Sequence, residues 1–447
     1  MKRFSYILIM ITLLSGRAGV GFSQDYARLG SRTIMGTARY VGMSGAMTAI
    51  GADPSAVHDN PAGLGLYRRM EVLVGFDETL DYTNQRKGLE IRNRRLFSLP
   101  HASWVVAIPT SRLSETGVQY NNIMFSYHRL HTFHRDLRGT SPNGDQSLGA
   151  LLADAGLDLG FDYCTDPRSM ENALLLQESG YSGEYAFDWS MNISNRWYVG
   201  AGLHIQSYAL TSEATFAEDY ARVNKSKDFY YIDNITTLMF NGVGCNLSAG
   251  VIYRPLWWLR LGFGVQTPTI GSLTTATSGT ISVMTDSLRE SYAPDLAGSA
   301  RDFHMPLHTS ASVAFHLGHI GLLALQHDYY YTSKEAAVHS LRAGLEIGLK
   351  MGLYFNMGYA YENPFSKQTT VVPMDPTFDR QDTYFQFTRS AHYGSCAIGY
   401  RGRYVIAQAA YQYHWQRIDL FAHERAFPYD MRAGTHRIVL TLGWHRN

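Results

Sequence analysis

Histidine is the residue type in this sequence that could bind a metal or a cofactor, with 17 among 447 residues. His128, His131 and His134 recur at every third position. Imidazole nitrogens bind haem iron and Zn²⁺, so this run is a candidate haem or metal site. The spacing matches no established ligand motif, however, and polar histidines need only hydration. We expect no metal and no cofactor, and haem binding at these three residues stays an alternative.

Catalytic motifs are the second kind of chemistry to consider. Gly42-Met43-Ser44-Gly45 does not have the spacing of a nucleophile elbow. Gly63-Leu64-Gly65 lacks the third glycine of a dinucleotide-binding loop and follows no strand. Cys164, Cys245 and Cys396 lie too far apart for a disulfide framework or a CxxC metal site. We therefore predict that the protein is not an enzyme.

The composition excludes several classes of protein. Charged residues make up 17% and aromatic residues 13%, with 39 basic against 38 acidic side chains. This charge balance gives no reason to expect a nucleic-acid partner, and so many aromatic residues argue against disorder. No run approaches the roughly 20 apolar residues of a membrane-spanning helix. A chain rich in β-strands remains.

The first residues are typical of a secretory signal peptide. Lys2 and Arg3 precede an apolar stretch from Phe4 to Leu14, and small residues near Gly21-Phe22-Ser23 suit cleavage. The apolar stretch is too short to span a membrane. The sequence therefore predicts an exported protein with residues 1–23 as its signal peptide.

Alternation with a period of two is the strongest pattern. Between Leu341 and Lys350, apolar side chains alternate with Arg342, Gly344, Glu346 and Gly348. Strands of an outer-membrane barrel are apolar towards lipid and polar or small towards the lumen. Fourteen segments fit this pattern, namely 68–77, 102–109, 121–129, 184–193, 196–206, 239–253, 258–267, 306–317, 319–329, 340–350, 351–361, 392–401, 403–416 and 436–446.

The connections support a barrel rather than a sandwich. From the fourth strand onward, short turns alternate with stretches such as 207–238 and 268–305. Outer-membrane barrels have short periplasmic turns and long extracellular loops, whereas a sandwich has no reason to alternate. Aromatic residues also fall at strand ends, as an interfacial girdle requires: Trp197, Tyr253, Trp257, Trp258, Tyr359, Tyr361, Tyr413, Trp415 and Trp444. We predict an all-β transmembrane barrel of about 14 antiparallel strands over 67–447.

Residues 24–66 differ from the rest because small side chains dominate them. Asp53-Pro54 reads as a helix N-cap followed by proline at the first helical position. A compact, weakly hydrophobic helical segment ahead of a wide barrel is most simply a plug, or hatch, inside its lumen.

The stretch from Gly36 to Tyr67 resembles the N-terminal hatch of the long-chain fatty-acid transporters of the FadL/TodX type. The marker is Asn60-Pro61-Ala62, followed by Gly63. The resemblance implies a 14-stranded barrel in the outer membrane of a Gram-negative bacterium and passive uptake of hydrophobic molecules such as long-chain fatty acids. It implies a monomer whose surroundings are the bilayer and lipopolysaccharide, inserted by the barrel-assembly machinery. It also implies a lateral wall opening at a kinked third strand.

Lumen charges are the candidate ligand-binding residues. Arg260, Arg342 and Glu346 would bind the carboxylate head of a ligand, pair with one another, or anchor the hatch. The pattern leaves these roles open. A hatch-bearing barrel that serves protein secretion is the further alternative, because such barrels carry a similar hatch motif.

Overall fold

The computed structural model describes residues 32–84, 89–91, 95–110, 116–141, 171–219, 230–285, 289–292, 299–331, 337–363, 385–421 and 429–446. The predicted signal peptide, 1–23, lies outside these residues.

Short helices occur mainly before the first strand. They are α1 (Ala38–Gly42), α2 (Pro54–Asp59) and a 3₁₀ helix (Pro61–Leu66); a further 3₁₀ turn spans Lys350–Gly352. The strands are β1 (Met70–Asn84), β2 (Leu89–Ile91), β3 (Arg95–Pro109), β4 (Val118–Ser141), β5 (Glu171–Ile193), β6 (Trp197–Asp219), β7 (Tyr230–Leu256), β8 (Leu259–Gln266), β9 (Ile270–Thr285), β10 (Arg289–Tyr292), β11 (Ser299–His304), β12 (Leu307–His316), β13 (Gly321–Tyr331), β14 (Ala337–Gly348), β15 (Leu353–Glu362), β16 (Phe385–Arg401), β17 (Val405–Phe421) and β18 (Tyr429–Arg446). Among the described residues, no helix has the length and apolar character needed to cross a membrane.

Fourteen of the strands form one closed antiparallel ring, which confirms the predicted fold class. The ring closes where β1 pairs with β18, with Leu73 opposite Gly443. The remaining strands extend the wall: β2 pairs with β4, and β9 pairs with β7, β10 and β11. Closure matters because every ladder hydrogen bond within a bilayer must be made inside the protein.

Side chains that alternate in the sequence lie on opposite faces of the barrel wall. In β6, Leu203 and Ile205 are 46% and 48% exposed and face outwards, whereas His204 and Gln206 between them are buried towards the lumen. Most of the exposed large apolar side chains lie on strands, as a lipid-facing wall requires.

Tight turns join the strands at one end of the barrel. Ser194 and Asn195 both adopt positive φ, 55° and 54°, as the two central residues of a primed hairpin turn do. At the opposite end the strands are longer than the sequence pattern predicted. The third predicted strand, 121–129, is in fact Val118–Ser141, and the fourth, 184–193, is Glu171–Ile193. These strands are longer than the roughly 9–11 residues that a tilted strand needs to cross a bilayer, and residues outside lipid have no reason to alternate between apolar and polar.

The N-terminal segment, residues 32–66, lies against the inner wall on several sides. Helix α1 packs on β15 to β18, and the 3₁₀ helix that begins at Pro61 packs on β5, β6 and β7. Wall glycines make this approach possible. A Cβ on Gly358 would lie 2.3 Å from the carbonyl carbon of Met43, and one on Gly200 would lie 2.5 Å from that of Pro61. The small residues of this segment and the wall glycines therefore fit one another.

Candidate functional site

Asn60 ties the N-terminal segment to itself and to the barrel wall. It ends α2 and caps the following 3₁₀ helix, and its Oδ1 accepts a hydrogen bond from the Ala62 amide at 3.1 Å. Its Nδ2 donates to the carbonyl oxygens of Thr48 (3.1 Å) and Val251 (3.4 Å). A Cβ on Gly250 would lie 1.8 Å from Asn60 Oδ1, so only glycine leaves this side chain room on the wall.

Pro61, Ala62 and Gly63 complete the predicted hatch motif, and all three are buried. Pro61 starts the 3₁₀ helix, where its missing N–H is not needed. Gly63 packs on Gly51: a Cβ added to Gly63 would lie only 3.1 Å from the Cα of Gly51. The motif thus forms a tight backbone crossing next to the wall.

The predicted lumen charges all contact the N-terminal segment. Glu346 receives two hydrogen bonds from Arg39, at 2.6 and 2.9 Å. Arg260 donates to the Ile50 carbonyl oxygen at 3.0 Å. Arg342 lies 3.7 Å from an Asp59 oxygen and 3.0 Å from one of Asp328. Of the roles left open by the sequence, this geometry corresponds to anchoring the segment.

Burial shifts the ionisation of several groups in the N-terminal segment. It raises the pKa of Asp53, even though Arg39 and the Thr37 hydroxyl favour its charged form. Burial and the Asp59 carboxylate raise the pKa of Tyr40 well above its usual value, and Tyr40 donates to Asp59 at 2.6 Å. Burial opposes the charge on Arg39, but Glu346 offsets this and holds the Arg39 pKa above its ordinary range. Both Tyr40 and Arg39 therefore stay protonated as donors.

The three histidines singled out in the sequence have different surroundings. His128 is buried, its ring stacked on His58 at 4.8 Å and edge-on to His101 at 5.9 Å. His131 Nδ1 lies 2.6 Å from the Thr33 hydroxyl, while His134 is half-buried further along β4. In the part of the chain that the structure describes, they are not gathered into one group of metal-binding atoms.

A different histidine cluster, which the sequence pattern did not single out, joins α2 to the wall. His58, Glu184 and His204 each place a nitrogen or oxygen within 4.8 Å of the others. Strand alternation points Glu184 and His204 inwards, but only the pairing of β5 with β6 and the position of α2 bring in His58. The three lie 126 and 20 residues apart along the chain, so no motif marks them.

An apolar cluster lies next to these polar contacts on the inner wall. Along β6 the inward face changes from His204 and Gln206 to Tyr208 and Leu210. The Tyr208 hydroxyl donates a hydrogen bond to Gln206 Oε1, so the polar and apolar parts of this face meet at Tyr208. The apolar cluster comprises Phe133, Tyr208, Leu210, Leu238, Phe240, Leu273, Phe303 and Met305, all buried. Phe133 of this cluster packs against His131, whose Nδ1 lies 2.6 Å from the Thr33 hydroxyl, so the cluster lies next to the N-terminal segment.

The third strand of the ring, β4, is irregular beside this region. Its register against β5 shifts between Val118 and Tyr120 and again between Arg129 and His131. On the outer face, a groove of about 500 Å³ is lined mainly by apolar residues of β1 and β3 to β6, including Trp104, Phe125 and Phe187. β4 pairs with β5 along its length, whereas its ladder with β3 covers Tyr120 to His128 and, among the described residues, the next partner on that side is β2 at Leu137 to Gly139.

These features define a closed 14-stranded transmembrane barrel whose lumen holds an N-terminal segment. Solved structures share this fold. A FadL homologue from Pseudomonas aeruginosa is 12% identical, with 93% of this chain and 99% of that chain covered and a TM-score of 0.58. The toluene transporter TodX from Pseudomonas putida is 12% identical, with 93% and 100% covered and a TM-score of 0.53. The CymD monoaromatic hydrocarbon channel is 11% identical, with 94% and 98% covered and a TM-score of 0.51.

The similarity lies in structure rather than in sequence. No protein-family model matches the chain, and no curated protein sequence matches it. The fold expected from the FadL/TodX resemblance is confirmed by these structures.

Proposed function

We propose that this chain is a channel in the outer membrane of a Gram-negative bacterium that admits hydrophobic small molecules by diffusion. The observation that carries the proposal is the buried apolar cluster of the barrel, which reaches the N-terminal segment through His131, packed on Phe133 and 2.6 Å from the Thr33 hydroxyl. A water-filled pore has a polar lumen, whereas an apolar interior favours apolar solutes. Long-chain fatty acids and monoaromatic hydrocarbons are the ligand classes we infer, the latter because neighbours with this fold carry them.

The N-terminal segment acts as the hatch in this proposal. Its contacts with the wall combine hydrogen bonds and ion pairs, such as that of Arg39 with Glu346, with buried apolar contacts, such as those of Ala38 and Val41 in one cluster with Ala397. Movement of the hatch would exchange the polar contacts for water and separate these apolar contacts. A ligand that collects in the apolar cluster would pass when the hatch shifts. No catalytic step and no energy source enter this mechanism.

The outer surface has a site suited to phosphates of outer-leaflet lipid. Arg417 and Arg432 are directly opposed on β17 and β18, where like charges are unfavourable without an anion. They line a cavity of about 600 Å³ together with Trp415 and with Arg389, which already pairs with Asp419 at 2.7 Å. Trp415 is ten residues after Val405, where β17 begins. On a strand tilted by about 45° this distance corresponds to a height of roughly 23 Å across the membrane, and the apolar band of an outer-membrane barrel is about 25 Å tall. Trp415 therefore lies near the edge of the band that is farther from Val405. Lipopolysaccharide is the outer-leaflet partner we infer.

Haem binding is the second candidate function. His128 and His131 border the lumen contacts of the N-terminal segment, and imidazole is a haem ligand. Optical titration of the purified protein with hemin tests it. A tight Soret shift that disappears in the His128→Ala/His131→Ala/His134→Ala variant would establish haem binding in place of our proposal.

Direct binding tests the main proposal. Purified protein in detergent should bind labelled long-chain fatty acid or toluene, and Leu210→Asn should weaken binding about tenfold because a polar group then enters the apolar cluster. Thr211→Asn, the next position on the outer side of β6, is the matched control and should bind normally. Equal binding by both variants would remove the apolar cluster from the pathway. If deletion in cells blocked export of proteins instead, the secretion alternative would replace ours.

A further inference from the structure

Three side chains from separate elements meet at the junction between α2 and the wall. His58 comes from α2, Glu184 from β5 and His204 from β6, and all three are buried. The uptake proposed above does not require this group.

Glu184 presents one oxygen to both histidines. Its Oε1 lies 2.6 Å from His58 Nδ1 and 3.1 Å from His204 Nδ1. Its other oxygen, Oε2, accepts a hydrogen bond from Gln206 at 2.6 Å. Gln206 therefore fixes the carboxylate so that Oε1 faces the two ring nitrogens.

His204 has a nitrogen that no hydrogen bond satisfies. Nδ1 is close to Glu184 Oε1, yet within the described structure it makes no hydrogen bond of acceptable geometry. Nε2 on the far side of the ring lies 3.2 Å from both Asp188 Oδ1 and Ser248 Oγ. Metal-bound histidines usually bind the ion through one ring nitrogen and donate the N–H of the other to a carboxylate. His204 has this arrangement, because Nε2 contacts Asp188 while Nδ1 faces Glu184 and His58.

We propose that His58, Glu184 and His204 bind one divalent transition-metal ion of the zinc type. Two imidazoles and one carboxylate form a donor set that suits Zn²⁺ and leaves a fourth position open. Calcium and magnesium need more oxygen ligands than this site offers. Donor atoms on a tetrahedral zinc lie roughly 3.3 Å apart, so the contacts of 2.6 and 3.1 Å would open by roughly 0.7 and 0.2 Å. The three donor atoms already lie within 4.8 Å of one another, so small side-chain shifts bring them to this spacing.

The surroundings can adapt to the ion. Arg32 lies 3.2 Å from His58 Nε2 and donates to Gln266 Oε1 at 2.7 Å. A metal bound at His58 Nδ1 requires the ring hydrogen of His58 to be on Nε2. Nε2 could then no longer accept a hydrogen bond from Arg32, and Arg32 would keep only its hydrogen bond to Gln266. The hydrogen bond between His58 and Glu184 would be replaced by coordination from the same two atoms.

The ion would hold the hatch to the wall. His58 belongs to the N-terminal segment, whereas Glu184 and His204 belong to the barrel, so coordination would add a metal link to the hydrogen bonds, ion pairs and apolar contacts that already join these two parts. Binding to the closed arrangement stabilises that arrangement by mass action. Metal should therefore reduce opening of the segment.

Spectroscopy with Co²⁺ tests the site on the full-length protein in detergent. Co²⁺ reports a four- or five-coordinate site by visible absorption bands much stronger than those of the hydrated ion. We expect these bands to saturate at one Co²⁺ per chain and to disappear on addition of Zn²⁺. His58→Ala and His204→Ala should each lower the affinity about 100-fold or more.

Two features keep the experiment decisive. His308→Gln is the matched control, because His308 is likewise buried beside a carboxylate, Asp328, but has no second histidine there; it should bind Co²⁺ like the wild type. His58→Ala changes only the N-terminal segment, so the barrel should remain folded, as heat-modifiable gel mobility will show. Absence of the bands in the wild type, or their persistence in folded His58→Ala, would refute the site without affecting the uptake proposal.

Discussion

At the scale of single residues, Asn60 joins three parts of the molecule through one side chain. It caps the 3₁₀ helix, bonds the Thr48 carbonyl within its own segment and bonds the Val251 carbonyl of the wall. Because it is fully buried, none of these groups would regain water if the side chain were removed. The Asn-Pro-Ala sequence is thus explained by packing as well as by resemblance.

Asn60→Ala should loosen the N-terminal segment and leave the barrel inserted. Loss of the cap and of two bonds to buried carbonyls should cost about 2–3 kcal/mol locally. Hydrogen exchange over residues 38–66 measures this, and we expect faster exchange there with unchanged exchange in β12 to β15. Unchanged exchange in the segment would contradict the role assigned to Asn60.

Arg342→Met should disturb the segment more strongly. The arginine lies between Asp59 of the segment and Asp328 of β13, and both carboxylates are buried. Removing the cation leaves buried charge unpaired, at a cost of about 3–5 kcal/mol. Proteolysis of the N-terminal segment in the folded barrel measures the effect. Arg69→Met, at an exposed position before β1, is the control and should behave as wild type.

At the scale of elements, glycines on the wall decide where the hatch can lie. Gly358→Ala should push α1 and Met43 away from β15, because the added Cβ would lie 2.3 Å from a backbone carbon. Gly394→Ala is the matched control, since its Cβ would meet only the Trp415 ring at 3.6 Å. Faster hydrogen exchange over 38–50 in the first variant alone is the expected result. Equal exchange in both would show that the segment does not depend on this contact.

The sequence predicted all fourteen strands of the ring, since lipid imposes a period of two wherever a strand crosses it. It did not predict β2, β9, β10 and β11, nor the upper part of β4, because strands above the membrane have no such constraint. It predicted Arg260, Arg342 and Glu346 as lumen charges but could not choose their partners, which in the structure are residues of the N-terminal segment and, for Arg342, also Asp328. The His58, Glu184 and His204 cluster depends on docking between distant segments, so no local pattern indicates it.

At the scale of the whole molecule, the barrel is a rigid wall and the N-terminal segment fills part of its lumen. Deletion of residues 32–66 should therefore leave a folded barrel with a wider water-filled path. Conductance in a planar bilayer measures this, and we expect the deletion variant to conduct several-fold more than the full chain. Equal conductance would mean that the segment does not obstruct the lumen.

Uptake of a labelled apolar molecule shows whether the barrel is a channel for such molecules. Cells that produce this chain in an outer membrane without other channels of this kind should take up long-chain fatty acid or toluene faster than cells without it. Leu210→Asn should lower this rate about tenfold, and Thr211→Asn should not. Uptake of both probes at the rate of cells without the protein, with the barrel shown to be folded in the outer membrane, would contradict the account.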